Sequence, residues 1–238
     1  PVLHEVREIP VPEDDLRGAT AIETALLRRL AEEAATPFAL RSDFPIRARL
    51  MRVGDEAAVV CLTLSHVAAD GWSMGVLVRD LLAFYHAAVA GRPADLPALS
   101  CQYLDYAQWQ REQEKQGHLA DDLAYWRERL ESAPVEELLH TDRPRPAIPS
   151  RRGGRVTFSL SHTTWQRLHA IARDREATPF MVLLAGWFAL LSRTSGSTDI
   201  SVGSPVANRS RTEVEDLVGY FANTIVLRAD LAGHPRFV

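Results

Sequence analysis

Along this chain the spacing of apolar residues switches repeatedly between a period of two and a period near 3.6, and each switch marks an element. Positions 46–53 alternate Ile, Ala and Leu with Arg and Met, the polar Gly54-Asp55-Glu56 follows, and positions 57–64 are a short run rich in Val and Leu. This predicts an antiparallel hairpin with a buried second strand. Beyond it Met74, Leu77, Leu81, Phe84, Tyr85 and Ala88 recur at helical spacing, which predicts a helix over 74–90 with Ser73 as N-cap and Gly91 past its end. His66 therefore falls at a strand end, in a loop leading into a helix, where α/β proteins commonly carry chemistry.

The same reading covers the rest of the chain. Positions 2–9 alternate and run into Pro10, Pro12 and acidic residues, which predicts an edge strand followed by a loop. Thr20 and Glu23 have capping-box spacing for a helix over 21–35, which Pro37 ends. Helices are predicted over 103–116 and 120–130, a strand over 155–160, a helix over 162–177, and a further helix that starts with Thr178 as N-cap and Pro179 and stops at Ser195-Gly196. Strands over 199–206 and 224–227 complete the pattern. Between 133 and 154 prolines and arginines replace periodic apolar residues, so this is the linker candidate. The fold class is α/β, as two lobes: 1–145, and 146–238 as the beginning of a second.

Composition narrows the partners. A net charge of −4 without a basic run argues against a nucleic-acid partner. Cys61 and Cys101 lack metal-ligand spacing and fit free thiols in a reduced, cytoplasmic protein. The apolar run 180–191 is too short for a membrane span, and Pro1-Val-Leu-His does not read as a signal peptide. The remaining histidines, His4, His86, His118, His140, His162, His169 and His234, share no spacing that suits a metal.

The stretch Thr63-Leu-Ser-His-Val-Ala-Ala-Asp-Gly-Trp-Ser73 carries the candidate chemistry. From the residues alone, His66 is either a buried histidine bonded to backbone or a general base, since imidazole titrates close to physiological pH. The stretch resembles the His-x-x-x-Asp-Gly motif of condensation domains of nonribosomal peptide synthetases, within the chloramphenicol acetyltransferase-like fold. Tyr103-Leu-Asp-Tyr-Ala-Gln-Trp109 and Val218-Gly-Tyr-Phe-Ala-Asn-Thr-Ile-Val-Leu-Arg228 resemble two further motifs of that family. Tyr125-Trp126, Thr141-Asp-Arg-Pro-Arg-Pro146 and Ser204-Pro-Val-Ala-Asn-Arg209 fall between them in the family's order.

The resemblance implies an α/β two-layer sandwich with two lobes in a V, the second incomplete, and a chain that is roughly the middle half of such a domain. It makes His66 the functional imidazole. Asp70 is expected to hold the loop, accepting backbone N–H bonds or pairing with an arginine supplied from before Pro1. Gly71 is expected to allow a tight turn and to aim its N–H at a thioester oxygen. Ser65 stands where the family has its first histidine, and a Ser65–His66 hydrolase is disfavoured because adjacent strand residues face opposite ways. Asp105, Tyr106 and Trp109 read as core and cap, and Asn223 and Thr224 as lobe packing.

The implied activity is amide-bond formation between a donor acyl or peptidyl thioester and an acceptor aminoacyl thioester, in biosynthesis of secondary metabolites such as antibiotics. No cofactor is bound directly. Upstream and downstream peptidyl carrier proteins present 4'-phosphopantetheine arms, and an adenylation domain is an expected neighbour. An epimerisation-type or a non-catalytic recruiting member of the same fold is the alternative. The 238 residues alone are expected to be inactive.

Overall fold

The computed structural model describes residues 8–134, 139, 141–144, 146–150, 153–233 and 235–236. The expected edge strand over 2–9 lies mostly outside them. The acidic stretch after Pro12, read from sequence as loop, forms a short strand, β1 (Glu13–Asp15), parallel to β2 (Ile46–Arg52). The predicted hairpin is present, although its second strand is not buried: β2 pairs antiparallel with β3 (Ala58–Leu64), Ile46 opposite Leu64 and Arg52 opposite Ala58, and Ala58 and Val60 are exposed. Strand alternation puts Arg47 and Arg49 on one face, where both pair with Glu33 of α1 (Ile22–Ala35) at 2.7 and 3.2 Å. The capping box at the start of α1 does not form, because the helix begins at Ile22 and Thr20 lies one residue outside the N-cap position.

Helix α2 (Gly71–Val89) starts three residues earlier than its apolar spacing predicts. Asp70, not Ser73, is its N-cap, accepting the Ser73 N–H at 2.8 Å. Helix α3 (Tyr103–Lys115) opens on a capping box in which the Gln102 N–H reaches Asp105 at 2.7 Å. Tyr106 enters a core cluster with Val214, Leu217 and Phe221.

The chain packs as two units, Pro1–His118 with Pro205–Asn223, and Leu119–Ser204 with Thr224–Val238. The boundary expected at 145/146 falls inside the second unit. Residues 205–223 return to the first because their apolar side chains join Tyr106. The second unit holds α4 (Ala120–Leu130), α5 (His162–Asp174) and α6 (Pro179–Ser195). Thr178 caps α6 ahead of Pro179, and Gly196 ends it at φ 77°, a left-handed conformation that favours glycine. Strand β4 (Asp199–Val206) pairs with β5 (Asn223–Asp230). Phe188, Leu191 and Ile200 form the core of this unit.

The strand predicted over 155–160 is absent. Val156 and Phe158 are 91% and 83% exposed, since alternation supplies a face but a strand also needs a hydrogen-bonded neighbour. No single helix among the described residues is long and apolar enough to cross a membrane.

Candidate functional site

Strand β3 ends at Leu64, and the chain turns over residues 66–68 before α2 begins. The Ser65 N–H donates to the Pro45 carbonyl at 2.8 Å, and the Ser65 carbonyl accepts from Ala68 at 3.0 Å. His66 is exposed on this turn, which removes the buried, backbone-bonded reading. Its ring meets Tyr220 edge-on, with centroids 5.3 Å apart at 85°. Ser65 and His66 lie past the strand end, so strand alternation does not set which way they face.

Asp70 is 4% exposed, and its carboxylate is fully engaged. Oδ1 accepts from the Ser73 N–H and hydroxyl, each at 2.8 Å, and from Arg209 Nη2 at 3.2 Å. Oδ2 accepts from the N–H groups of Phe221 at 3.0 Å and Ala222 at 3.3 Å. Burial pushes the carboxyl pKa up, but the Ser73 N–H and hydroxyl, the Phe221 N–H and the Arg209 charge outweigh it and hold it at about 2. The expected arginine partner is thus inside the chain, not before Pro1. It is Arg209, 139 positions after Asp70.

Arg209 is itself 1% exposed at the side chain. Nη1 donates to the Leu217 carbonyl at 2.8 Å and to that of Val214, Nη2 also reaches Ser73 Oγ at 3.0 Å, and the guanidinium lies 4.0 Å from the Phe221 ring centroid. Its Nε–H has no partner among the described residues. Ser73 Oγ lies 2.8 Å from both Asp70 Oδ1 and the Gly219 carbonyl, and its single proton serves one of them at a time while it accepts from the Gly219 N–H at 3.1 Å. Trp72 Nε1 donates to the Glu215 carbonyl at 2.9 Å, and Arg79 pairs with Asp216. The start of α2 is therefore sewn to residues 209–222.

Gly71 departs from the first of its two expected roles, the tight turn. It is the first residue of α2, its φ is outside the left-handed region, and an added Cβ would meet no atom within 4 Å. No tight turn requires a glycine there. Gly219 is where a side chain is blocked, because a Cβ would overlap the Tyr103 ring. Burial pushes the Tyr103 and Tyr106 phenols up, so both stay neutral near pH 7. Asp105 caps α3 and Tyr106 is core. Cys61 and Cys101 are free. Among the described residues no group of three or more His, Cys, Asp or Glu is placed to hold a metal ion.

Sequence reasoning placed Arg209 and Tyr220 within motifs but gave neither a role. Ser73 it read as a cap, where the hydroxyl is fully buried between two segments. The cue was there in Asn208-Arg209 and Gly219-Tyr220, but nothing in local spacing says which distant carboxylate an arginine will meet.

A family model described as Condensation domain matches residues 2–238. Phosphinothricin tripeptide synthetase PhsC of Streptomyces viridochromogenes is 45% identical over 221 residues, covering 92% of this chain and 20% of the relative. Malpibaldin synthetase of Mortierella alpina is 43% identical over 228 residues, covering 96% of this chain and 4% of the relative. Among solved structures, the complex of the X-domain and OxyB from teicoplanin biosynthesis matches with a TM-score of 0.87 at 32% identity, covering 98% of this chain and 51% of that one. This chain thus spans about half the length of that solved chain and a fifth or less of these two synthetases.

Proposed function

The chain belongs to the condensation-domain family, with its chloramphenicol acetyltransferase-like fold, and on that premise we propose that it forms a peptide bond between two carrier-bound thioesters in nonribosomal peptide biosynthesis. The observation that carries this reading is His66, exposed on a turn whose next residues are fixed by the buried Asp70. Upstream and downstream peptidyl carrier proteins deliver the donor acyl or peptidyl group and the acceptor aminoacyl group, each on a phosphopantetheine arm. An adenylation domain is the neighbour that would charge the acceptor carrier.

In the reaction the acceptor amine attacks the donor thioester carbonyl. The C–N bond forms, the C–S bond breaks, and the proton lost by the amine ends on the leaving thiol. His66 accepts that proton or orients the amine for attack. We assign to the Gly71 N–H, at the positive end of α2, the donation to the thioester oxygen. Asp70 does not exchange protons in this scheme, because its carboxylate is held ionised and buried. Holding two tethered substrates in line supplies most of the acceleration.

A second reading has one specific support. The solved X-domain is a complex with a second protein, OxyB, so a member of this fold that recruits a partner is the rival. The test uses the full-length protein with both carriers preloaded, and follows the product thioester by mass spectrometry. A lengthened chain on the downstream carrier, lost in His66→Ala, supports condensation. No lengthening, with stereochemical inversion or partner capture instead, would replace it with one of the rivals.

A further inference from the structure

An exposed imidazole on a turn can rotate freely, and a general base that rotates freely is rarely aligned for proton transfer. Among the described residues His66 has one ring neighbour, Tyr220, and that residue comes from a segment distant in sequence. The segment is unusually fixed. The Gly219 N–H and carbonyl both meet Ser73 Oγ at 3.1 and 2.8 Å. The Tyr220 carbonyl accepts from the Tyr103 hydroxyl at 2.8 Å. The Phe221 and Ala222 N–H groups donate to Asp70 Oδ2. Four consecutive residues thus have backbone groups tied down, and much of the tying is done by Asp70, the N-cap of α2, and by Ser73 in its first turn.

Within this clamp Phe221 joins the core and is 3% exposed, whereas Tyr220 is 44% exposed. Core packing accounts for Phe221. It does not account for an aromatic ring left half in solvent against the edge of an exposed histidine.

We propose that Tyr220 is the positioning residue for His66: its ring, held by the Asp70–Ser73 clamp on residues 219–222, fixes the plane of the imidazole. Asp70 and Ser73 then act on the chemistry at one remove, through Tyr220, although neither is hydrogen-bonded to the His66 ring. The inference rests on the reading that His66 handles the amine proton. The ring is what matters. An edge-to-face contact needs an aromatic quadrupole, not a hydroxyl.

The test uses the full-length protein labelled with 13C at histidine Cε1, with the His66 resonance assigned by its loss in His66→Ala. Tyr220→Phe and Tyr220→Leu are compared for that resonance, for kcat and KM on preloaded carriers, and for urea midpoint. Tyr220→Phe is expected to keep the resonance in place and the rate within about threefold. Tyr220→Leu is expected to shift the resonance and lower kcat by roughly threefold to tenfold, the size of an aromatic pair, with KM and midpoint unchanged. An unmoved resonance in Tyr220→Leu would overturn the inference, and so would Tyr220→Phe behaving like Tyr220→Leu. Should Tyr220→Leu unfold, Tyr220→Met takes its place in all three readouts. Full turnover in His66→Ala would instead overturn the role of His66 in handling the amine proton, and a parent protein that gives no lengthened product would overturn the peptide-bond reading. The resonance needs no turnover, so it still decides whether Tyr220 orients the ring.

Discussion

Asp70 is 4% exposed and accepts hydrogen bonds from Ser73, Arg209, Phe221 and Ala222, whereas His66, four residues earlier in the same connection, is exposed and meets one ring. The two polar residues sit on opposite sides of a division of labour. A buried carboxylate is tolerable only when its lone pairs are filled and its charge is matched, and once that is so it rigidifies everything it touches. An imidazole that must meet a substrate has to stay open, so its stiffness must be borrowed from a neighbour. The start of α2 achieves both within one turn of chain.

The largest effect that sharpens this contrast is on stability. Asp70→Ala leaves Arg209 buried with no carboxylate partner, and is expected to cost about 3–5 kcal/mol in urea unfolding. Unchanged stability with lost activity would move Asp70 to the same side as His66.

Next in size is the acid limb. The folded pKa of Asp70 is about 2, below the 3.8 of an unperturbed aspartate. A depressed carboxylate contributes stability above its unfolded pKa and loses it as pH falls through the folded one, so the contribution is complete above about pH 4 and gone below about pH 2. Its size is on the order of 2 kcal/mol. Asp14, Glu33 and Asp199 are also lowered, each chiefly by a hydrogen bond from an arginine (Arg29, Arg47 and Arg228), so the informative quantity is the wild-type curve minus that of Asp70→Asn. Identical slopes for the two proteins between pH 4 and 2 would show that the clamp does not hold Asp70 ionised.

Two glycines give smaller, opposed effects. Gly219→Ala drives a methyl into the Tyr103 ring and is expected to cost about 2 kcal/mol, while Gly71→Ala places one in open space within a helix and is expected to stay within about 1 kcal/mol of the parent. Thermal or urea midpoints measure both. Reversal of that order would mean that the tight approach lies at Gly71 after all.

What the sequence revealed and what it hid follows the range of the interactions. Helix α6 was legible because Thr178, Pro179 and Gly196 act on their own backbone, and the β2–β3 hairpin because its alternation and polar turn are adjacent. The start of α2 was misplaced because Asp70 and Ser73 are both good caps, and only the buried role of Ser73 between Asp70 and Gly219 decides between them. Arg209 is hidden by 139 positions of chain, and residues 205–223 pack with the first unit through contacts to α3 and α2 that have no local signature. The predicted strand over 155–160 had the right alternation and no described partner strand, which period alone cannot reveal.

The central claim is that chemistry and stability part company between His66 and Asp70, and one paired measurement on His66→Ala tests it most directly. In the full-length protein, single-turnover peptide-bond formation on preloaded carriers is measured beside the urea midpoint. The expected result is a rate lower by a factor on the order of 100 or more, the usual size of a general-base or positioning contribution, with the midpoint unmoved. A midpoint that falls as it does in Asp70→Ala, or a rate that does not fall, would contradict it.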